Sequence, residues 1–364
     1  MNHDALYIAN LVAYFLIYIC FTLGLNVSFG MSGILDFAFV TFMAVGAYVG
    51  GVFALGPEQA GSGINYVLGL HAPWPIGLLA GAAAASALGV LVGLVAVRRL
   101  RSDYMAIALV AVWTVAWDVV GNERGLFNGQ AGIVSVPQPF ASVFHTNPNN
   151  YVYVFIGIAL LIGALLTFIA WAIQESSYGM ALRAIREDQD AAAAFGKSVL
   201  RYRLKAMAIA CAYAGVGGAL TVEFIGGMNP SAWAIVETVI IFSALLLGGR
   251  GNVWGAILGA LVVRVIIIEG TSLVPGLSSH PAIFGAARNI LLGALLIIVL
   301  YFRPQGLLPE PRRRYFVDAS AEGPNAHRTF DGVESTQPFW RRGGVRRGRR
   351  ESVGAAVGRN DIAK

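Results

Sequence analysis

Residues Leu6–Leu25 read LYIANLVAYFLIYICFTLGL, a run without a charged side chain that is long enough to cross a lipid bilayer as one helix. The hydrocarbon core of a bilayer is about 30 Å thick, so a helix needs roughly 20 apolar residues to cross it. The whole chain has the same character, because 57% of its 364 residues are hydrophobic and only 13% are charged. Soluble domains carry about a quarter charged residues. The composition therefore predicts an integral membrane protein.

Further apolar runs follow the first, and together they predict a polytopic helix bundle of about nine spans. The seventh and eighth runs are short and are separated by glycines, so they fit either two complete spans or one broken helical hairpin. We expect an all-α membrane domain over residues 1–308 and a basic, disordered tail over residues 309–364. The candidate spans are Leu6–Leu25, Leu35–Leu55, Pro75–Val97, Tyr104–Val120, Tyr151–Ile173, Leu204–Ile225, Ala234–Leu247, Val253–Ile268 and Ala286–Phe302.

The basic residues beside the spans predict the orientation of the chain. The connections after the third, fifth and ninth spans are rich in Lys and Arg, whereas the rest of the membrane domain is nearly free of them, with Arg124 and Arg288 among the exceptions. Short basic loops remain in the cytoplasm. We therefore expect a multi-pass protein of the bacterial plasma (inner) membrane, with its N-terminus outside and its C-terminus inside. The basic residues concerned are Arg98, Arg99, Arg101, Arg183, Arg186, Lys197, Arg201, Arg203, Lys205, Arg303, Arg312, Arg313 and Arg314.

Small residues recur in several spans and predict close contacts between helices. Helices in lipid associate through tight packing, and glycine allows two backbones to approach each other. We expect a compact bundle in which these glycines lie at helix interfaces. They are Gly77, Gly81, Gly89, Gly93, Gly215, Gly217, Gly218, Gly255 and Gly259.

The segment Gln174–Lys205 is the long polar stretch between spans, and its pattern predicts a short amphipathic helix ending near Gly196. Such a helix could lie on the membrane interface, but its charges are of mixed sign and its apolar face is small. We interpret it as a surface that docks against another protein. Its apolar side consists of Tyr178, Ala181, Leu182, Ile185, Ala192 and Phe195, and its charged side of Arg183, Arg186, Glu187, Asp188 and Asp190.

A sequence signature lies within the same segment. Asp190, Ala191 and Ala192, followed four positions later by Gly196, resemble the EAA---G signature of ABC importer permeases. In that family the loop forms a helix that sits in a groove of the ATPase subunit, and the resemblance implies the same here. We expect the ATPase-coupling surface to contain Gly179, Leu182, Arg183, Ile185, Arg186, Glu187, Asp190, Ala191, Ala192 and Gly196.

The run AAAAFGKS at residues 191–198 ends like a P-loop, but we do not interpret it as a nucleotide site. The first glycine of that motif is replaced by Ala191, and the stretch is helix-forming with no preceding strand. ATP hydrolysis would then belong to a separate subunit. We predict no catalytic residue and no cofactor in this chain.

Several segments in the same order resemble the LivM-like permeases of branched-chain amino-acid ABC importers. The resemblance implies a second related permease, two ATPase subunits and a periplasmic or extracellular solute-binding protein as partners. The chain departs from the family pattern at Leu35–Ala38 and at Phe127–Gly132, so urea, amides and other amino acids remain alternative solutes. The matching segments are Gly24–Gly30 with Ser32, Gly33 and Gly46–Tyr48, then Arg101–Leu109, Tyr178–Glu187 continuing to Tyr202–Lys205, Leu247–Gly255 and Phe302–Leu307.

Ionisable residues within the spans are costly in lipid and commonly face the bundle interior or water. Those near span ends could simply be solvated at the interface. We hypothesise that some of them line a polar route for a zwitterionic solute, and we expect no deep binding pocket. The candidates are Asp36, Asp118, Glu223, Glu237 and Arg264.

Two other classes of function compete with the importer. An ion-coupled secondary transporter would fit broken helices but would leave the long docking loop unexplained. An intramembrane enzyme would need a catalytic constellation, and the scattered histidines suggest no metal site. The Arg-rich tail could attract anionic membrane lipid or only solubilise the chain, and the sequence offers no nucleic-acid-binding fold.

Overall fold

The computed structural model describes residues 3–56, 69–100, 102–140, 151–269, 281–303 and 305–311. Helices account for nearly all of these residues, which confirms the predicted all-α class. Residues Met1–Pro311 form one compact unit. The tail was predicted to begin at residue 309, but residues 309–311 belong to this unit. The rest of the tail, from residue 312 onward, lies outside the described residues.

The chain runs through twelve α-helices in the described part, joined by short turns and one two-stranded pairing. Two π-helical segments, Asn26–Met31 and Val262–Glu269, continue helices α1 and α11, and short 3-10 turns occupy Gly129–Ala131 and Pro230–Trp233. The helices are α1 His3–Leu25, α2 Phe39–Ala54, α3 Trp74–Arg99, α4 Ser102–Asn122, α5 Arg124–Phe127, α6 Tyr151–Glu175, α7 Ser177–Glu187, α8 Gln189–Ala194, α9 Val199–Ile225, α10 Ile235–Gly248, α11 Val253–Leu261 and α12 Pro281–Phe302.

Five of these helices are long and apolar enough to cross a membrane, and the count is six if the bent pair α10 and α11 forms one span. Helix α2 is apolar but has only 16 residues. The prediction of nine spans is therefore not confirmed. The sequence analysis counted every apolar run as a span, whereas α2 has only 16 residues and α11 only nine.

Helices α2, α3 and α9 form the centre of the bundle through direct backbone contacts. A Cβ atom added to Gly81 would lie 2.6 Å from the carbonyl oxygen of Gly46, and one added to Gly215 would lie 2.7 Å from that of Gly81. Real Cβ atoms do not approach so closely. The prediction that small residues mark helix contacts is confirmed here, because only glycine permits these three helices to meet.

Helices α10 and α11 form a hairpin, because the chain direction bends by 120° at the break between them. A Cβ on Gly255 would lie 2.8 Å from the carbonyl oxygen of Gly248, so the two arms touch through glycine. The structure thus has the hairpin rather than two complete spans. Residues Gly249–Asn252, between the arms, are its tip.

The two short strands close the opposite end of the bundle. Strand β1, Ile133–Val134, pairs antiparallel with β2, Gly227–Met228, which directly follows α9. Helix α9 ends at Gly226, whose φ of +80° is the left-handed geometry that glycine supplies at helix C-termini. Loops from the two halves of the chain are therefore joined at this end.

Large apolar side chains on the outside of α6 are exposed, among them Leu160, Leu161, Leu165 and Phe168. Such a continuous apolar face is stable against lipid tails or another apolar helix, and it fits a membrane-embedded bundle.

Candidate coupling surface and translocation path

The polar loop after α6 contains two helices, α7 and α8, where the sequence predicted one. The hydroxyl of Ser176 caps α7 by accepting a hydrogen bond from the Gly179 N–H at 3.2 Å. Asp188 interrupts the helix in extended geometry and caps α8, accepting from the N–H groups of Asp190 and Ala191 at 2.9 and 3.0 Å. Asp188 was predicted to lie on the charged face, but its carboxylate satisfies backbone donors at the break. The predicted end near Gly196 is confirmed, since Gly196 has φ +76° immediately after α8.

The apolar side of the loop packs inward, with one exception. Gly179, Ala181, Leu182, Ile185 and Ala192 are buried. Phe195 was predicted on the same side, yet it is 86% exposed. Phe195 follows the last residue of α8. Its ring is exposed there and does not lie on the buried side that the helical spacing predicted.

Glu187, Asp190, Ala191 and Gly196 are exposed, as the docking interpretation expects. Together with Phe195 they form a surface that we call the loop tip. An exposed aromatic ring surrounded by small residues and carboxylates suits the groove of a partner protein, because aromatic side chains dominate the binding energy of protein interfaces.

Arg183 and Arg186 were predicted on the outer, charged side, but both turn inward toward Glu310. Arg183 Nε lies 2.7 Å from Glu310 Oε1, and Arg186 Nη2 lies 2.6 Å from Glu310 Oε2. The three side chains are only 16%, 17% and 24% exposed. Arg186 also donates a short hydrogen bond to the carbonyl oxygen of Gly30. We call these four residues the arginine junction.

Three further hydrogen bonds lie at or beside the arginine junction and connect distant parts of the chain. The backbone N–H of Gly251 donates to Asn26 Oδ1 at 2.8 Å, and the N–H of Val253 donates to Gln174 Oε1 at 2.8 Å. Arg183 Nη2 donates to the carbonyl oxygen of Gln174 at 3.3 Å. The turn after α1, the end of α6, helix α7 and the hairpin tip therefore meet at one place.

This place joins four of the segments that carried the family resemblance. Gly24–Gly30, Tyr178–Glu187, Leu247–Gly255 and Phe302–Leu307 are far apart in sequence and adjacent in space. Glu310 was missed by sequence reasoning because it lies three positions beyond the last matching segment. No pattern in its neighbourhood distinguishes it from the acidic residues of the following tail.

The ionisable residues proposed for the path fall into two groups in the structure. Glu237, on α10, and Arg264, on the π-helical segment after α11, both line one cavity of about 440 Å³. Tyr18 lies between them: its hydroxyl donates to Glu237 Oε2 at 2.7 Å, and its ring centroid is 5.3 Å from the Arg264 guanidinium carbon. The ring of Tyr14 is closer to that guanidinium, at 4.6 Å. A cavity of this size was not expected from the sequence, because the side chains that line it come from distant helices.

The other three residues do not line this cavity. Asp36 and Glu223 are fully buried, and their carboxylate oxygens make no hydrogen bond of standard geometry within the described part of the chain. Asp118 is exposed on α4. The hydroxyl of Tyr151 donates to the backbone carbonyl of Glu223 at 3.2 Å, so Glu223 lies where α6 and α9 meet.

Across the described ranges, no group of three or more His, Cys, Asp or Glu side chains is placed to hold a metal ion. What the structure brings together is a protruding loop, a charged junction beneath it and a cavity with one cation and one anion.

Comparison with known proteins shows the family. The family model described as a branched-chain amino acid transport system / permease component matches residues 7–300. The high-affinity branched-chain amino acid transport system permease protein LivM of Escherichia coli is 30% identical in an alignment of 317 residues that covers 82% of this chain and 69% of the relative. A probable LivM of Methanocaldococcus jannaschii is 29% identical in an alignment of 329 residues that covers 83% of this chain and 93% of the relative.

A second type of permease is also similar. The permease protein LivH of Escherichia coli is 27% identical over 305 residues, covering 81% of this chain and 92% of the relative. No solved structure matches the chain. Because the family model covers well over half of its length, the chain belongs to the family of permease components of branched-chain amino acid transport systems.

Proposed function

We propose that this protein is a permease subunit of an ATP-driven importer and forms the translocation path for branched-chain amino acids together with a second, related permease. The observation that carries the proposal is the α7–α8 loop, whose tip is exposed while its base is held in the arginine junction. Relatives of two kinds, LivM and LivH, support a pair of related permeases.

The loop tip is the part of the proposed coupling surface that meets the ATPase. Phe195, Glu187, Asp190, Ala191 and Gly196 are available to a partner, and the backbone there is set by Asp188 and Gly196. Gly179, Leu182, Ile185 and Ala192 contribute from beneath by packing α7 and α8 onto the bundle. Arg183 and Arg186 then anchor the surface rather than touch the partner.

ATP hydrolysis belongs to the ATPase subunits in this proposal. Lys197 and Ser198, which mimic the end of a P-loop, follow the C-terminus of α8, whereas a P-loop binds phosphate at a helix N-terminus that follows a strand. Both residues are exposed next to the loop tip. They belong to the docking region and are not arranged as a phosphate site.

The cavity between α1, α9, α10 and the π-helical segment is our candidate for part of the path. An amino acid carries a carboxylate, which suits the Arg264 guanidinium, and an ammonium group, which suits the Glu237 carboxylate. Its aliphatic side chain would lie on the apolar walls, to which Ile17, Phe21 and Ile240 contribute. The buried Asp36 and Glu223 and the exposed Asp118 lie apart from this cavity, so we restrict the proposed contacts to Glu237 and Arg264.

The proposed orientation puts the N-terminus outside and the loop tip in the cytosol, within a bacterial inner membrane. Helix α1 then ends at the same cytoplasmic side as α7, which agrees with the bond between Arg186 and Gly30. A solute-binding protein would dock at the opposite side, near the β1–β2 pairing. The apolar exterior of α6 would contact membrane lipid.

Transport by the purified assembly tests the proposal. The complex is isolated through an affinity tag on this chain, reconstituted into vesicles and supplied with binding protein and radiolabelled leucine. We expect leucine uptake that requires ATP, and much weaker uptake of urea or acetamide. Uptake that is driven by an ion gradient with this chain as the sole protein would overturn the importer and favour a secondary transporter.

A further inference from the structure

The chain after α12 turns back and lies along the hairpin. Gly306, with φ +76°, makes the turn. The N–H groups of Leu307 and Leu308 then donate to the carbonyl oxygens of Leu247 and Gly248 at 2.8 and 2.9 Å. Asn252 Nδ2 donates to the carbonyl of Pro309 at 3.1 Å. The position of Glu310 on the hairpin is thus defined by backbone contacts that do not involve its own side chain.

The carboxylate of Glu310 is shared by two cations of the coupling loop. One oxygen faces Arg183 and the other faces Arg186, at 2.7 and 2.6 Å. These side chains are mostly shielded from water, so their attraction is screened less than that of a surface ion pair. Without the anion, two guanidinium groups from adjacent turns of α7 would repel each other at the hairpin tip.

The hairpin that Glu310 ties to α7 is also the element that carries the two charges of the cavity. Glu237 lies on α10, and Arg264 lies on the π-helical continuation of α11. A displacement of α7 that pulls on the hairpin tip therefore moves both arms of the hairpin, and with them the two proposed contacts to the solute. Coupling between distant sites is carried by such contiguous packed elements.

We propose that Glu310 is a positioning residue for transport, which fastens the ATPase-coupling helix α7 to the α10–α11 hairpin so that movement of the loop tip reaches the cavity. This role rests on the proposed function as an importer permease. Leu182 and Ile185 hold α7 on the bundle, whereas the ion pairs of Arg183 and Arg186 with Glu310 connect α7 to the segment that is hydrogen-bonded to the hairpin.

A distance measurement tests the link without any transport. Spin labels are placed at Ala184→Cys, on the exposed side of α7, and at Trp254→Cys, which is 60% exposed at the start of α11. The two native cysteines are buried and are not expected to react. We expect a narrow distance distribution in the full chain and a broader or shifted one with Glu310→Gln. An unchanged distribution would overturn the proposal whatever the solute is.

Transport stoichiometry in the reconstituted complex tests the consequence. With Glu310→Gln we expect the ATP hydrolysed per leucine imported to rise about tenfold, the size of a typical coupling between sites. Glu310→Asp keeps the charge, so its ratio of ATP hydrolysed to leucine imported should stay close to the wild-type ratio. Glu123→Gln changes an exposed acid at the end of the bundle opposite the loop tip and should not alter the ratio. If Glu310 had only a structural role, Glu310→Gln would lower ATP hydrolysis and leucine import together and leave their ratio as in the wild type.

Failures of the two proposals are distinguishable. If the wild-type complex imports no leucine with ATP, the importer function is wrong, and the spin-label distances still decide the link. If Glu310→Gln does not accumulate in membranes, Arg183→Gln is measured instead, since it removes one of the two cations that pair with Glu310. A wild-type ratio and distance distribution in Arg183→Gln would then contradict the link.

Discussion

Asn26 Oδ1 accepts a hydrogen bond of 2.8 Å from the backbone N–H of Gly251, although 225 positions separate the two residues. The bond joins the π-helical segment after α1 to the tip of the α10–α11 hairpin. Gly251 has φ +80°, a conformation that most residues avoid. Glu310 also leaves no room for a larger residue at this position, because a Cβ atom on Gly251 would lie 2.8 Å from the Glu310 carboxyl carbon.

Replacing Asn26 by alanine should destabilise the bundle, because the buried N–H of Gly251 would lose its acceptor. Leaving a buried backbone donor without a partner costs about 1–3 kcal/mol. We expect a lower melting temperature for the detergent-purified protein, followed by intrinsic fluorescence. Asn10→Ala is the matched control, because the Asn10 side chain donates within its own helix, to the Leu6 carbonyl. Equal melting temperatures for the two variants would contradict the role of Asn26.

Replacing Gly215 by valine should prevent close packing of α9 on α3. A Cβ at Gly215 would lie 2.7 Å from the Gly81 carbonyl oxygen and 2.8 Å from Ala85 Cβ. Because the nearest atom belongs to the backbone, we expect destabilisation at or above the usual overpacking cost of about 1–3 kcal/mol. The yield of folded protein in membranes reports it. Gly157→Val, where nothing lies within 4 Å, should be tolerated.

Removal of the Phe195 ring should weaken binding of the ATPase subunits. A central aromatic residue at an interface commonly contributes about 2 kcal/mol or more. We expect Phe195→Ala to lose most of the ATPase that co-purifies with the tagged chain, while the fold is unchanged because the ring is exposed. Phe168→Ala, on the apolar exterior of α6, serves as the control. Full retention of ATPase by Phe195→Ala would argue against the loop tip as its docking surface.

Replacing the charged side chains of the cavity should affect transport without affecting assembly. Arg264→Lys keeps the positive charge but loses the planar, two-pronged geometry that binds a carboxylate, and the two side chains are not interchangeable at such sites. We expect leucine uptake to fall about tenfold or more, as the loss of a charge-assisted contact implies. Glu237→Gln should show a similar loss.

The control for the cavity is Arg124→Lys, since Arg124 is an exposed arginine outside the cavity. Uptake is measured in the reconstituted complex after equal amounts of ATPase have been confirmed by gel. Normal uptake in both Arg264→Lys and Glu237→Gln would show that the solute takes another route.

Labelling from one side of the membrane checks the orientation. A cysteine at Phe195 should react with an impermeant maleimide only after cells are opened, whereas a cysteine at Glu123 should react in intact cells. Both residues are exposed, and the native Cys20 and Cys211 are buried, so background labelling should be low. Labelling of Phe195→Cys in intact cells would show that the loop tip lies outside the cytosol, and it would contradict ATPase docking there.

The loop after α6 shows how far pattern reading reaches and where it stops. Helical spacing correctly predicted that Leu182 and Ile185 face inward, because burial of apolar side chains follows the helical period. The same spacing failed for Phe195, since it assumed one continuous helix and Asp188 breaks it. Arg183 and Arg186 were assigned to the outer face because charge favours water, and Glu310 reverses that preference by supplying a counter-ion.

The amino-acid sequence alone determined membrane residence, the helical class, the family and the position of the polar loop between α6 and α9. These follow from local quantities: the length of apolar runs, the spacing of side chains along one helix and motifs that need no distant partner. Only the tertiary structure decided that α10 and α11 form a hairpin, that Glu237 and Arg264 share one cavity and that Glu310 neutralises two arginines of α7. Those outcomes depend on which helices meet, and a contact between side chains of different helices leaves no periodic trace in the sequence.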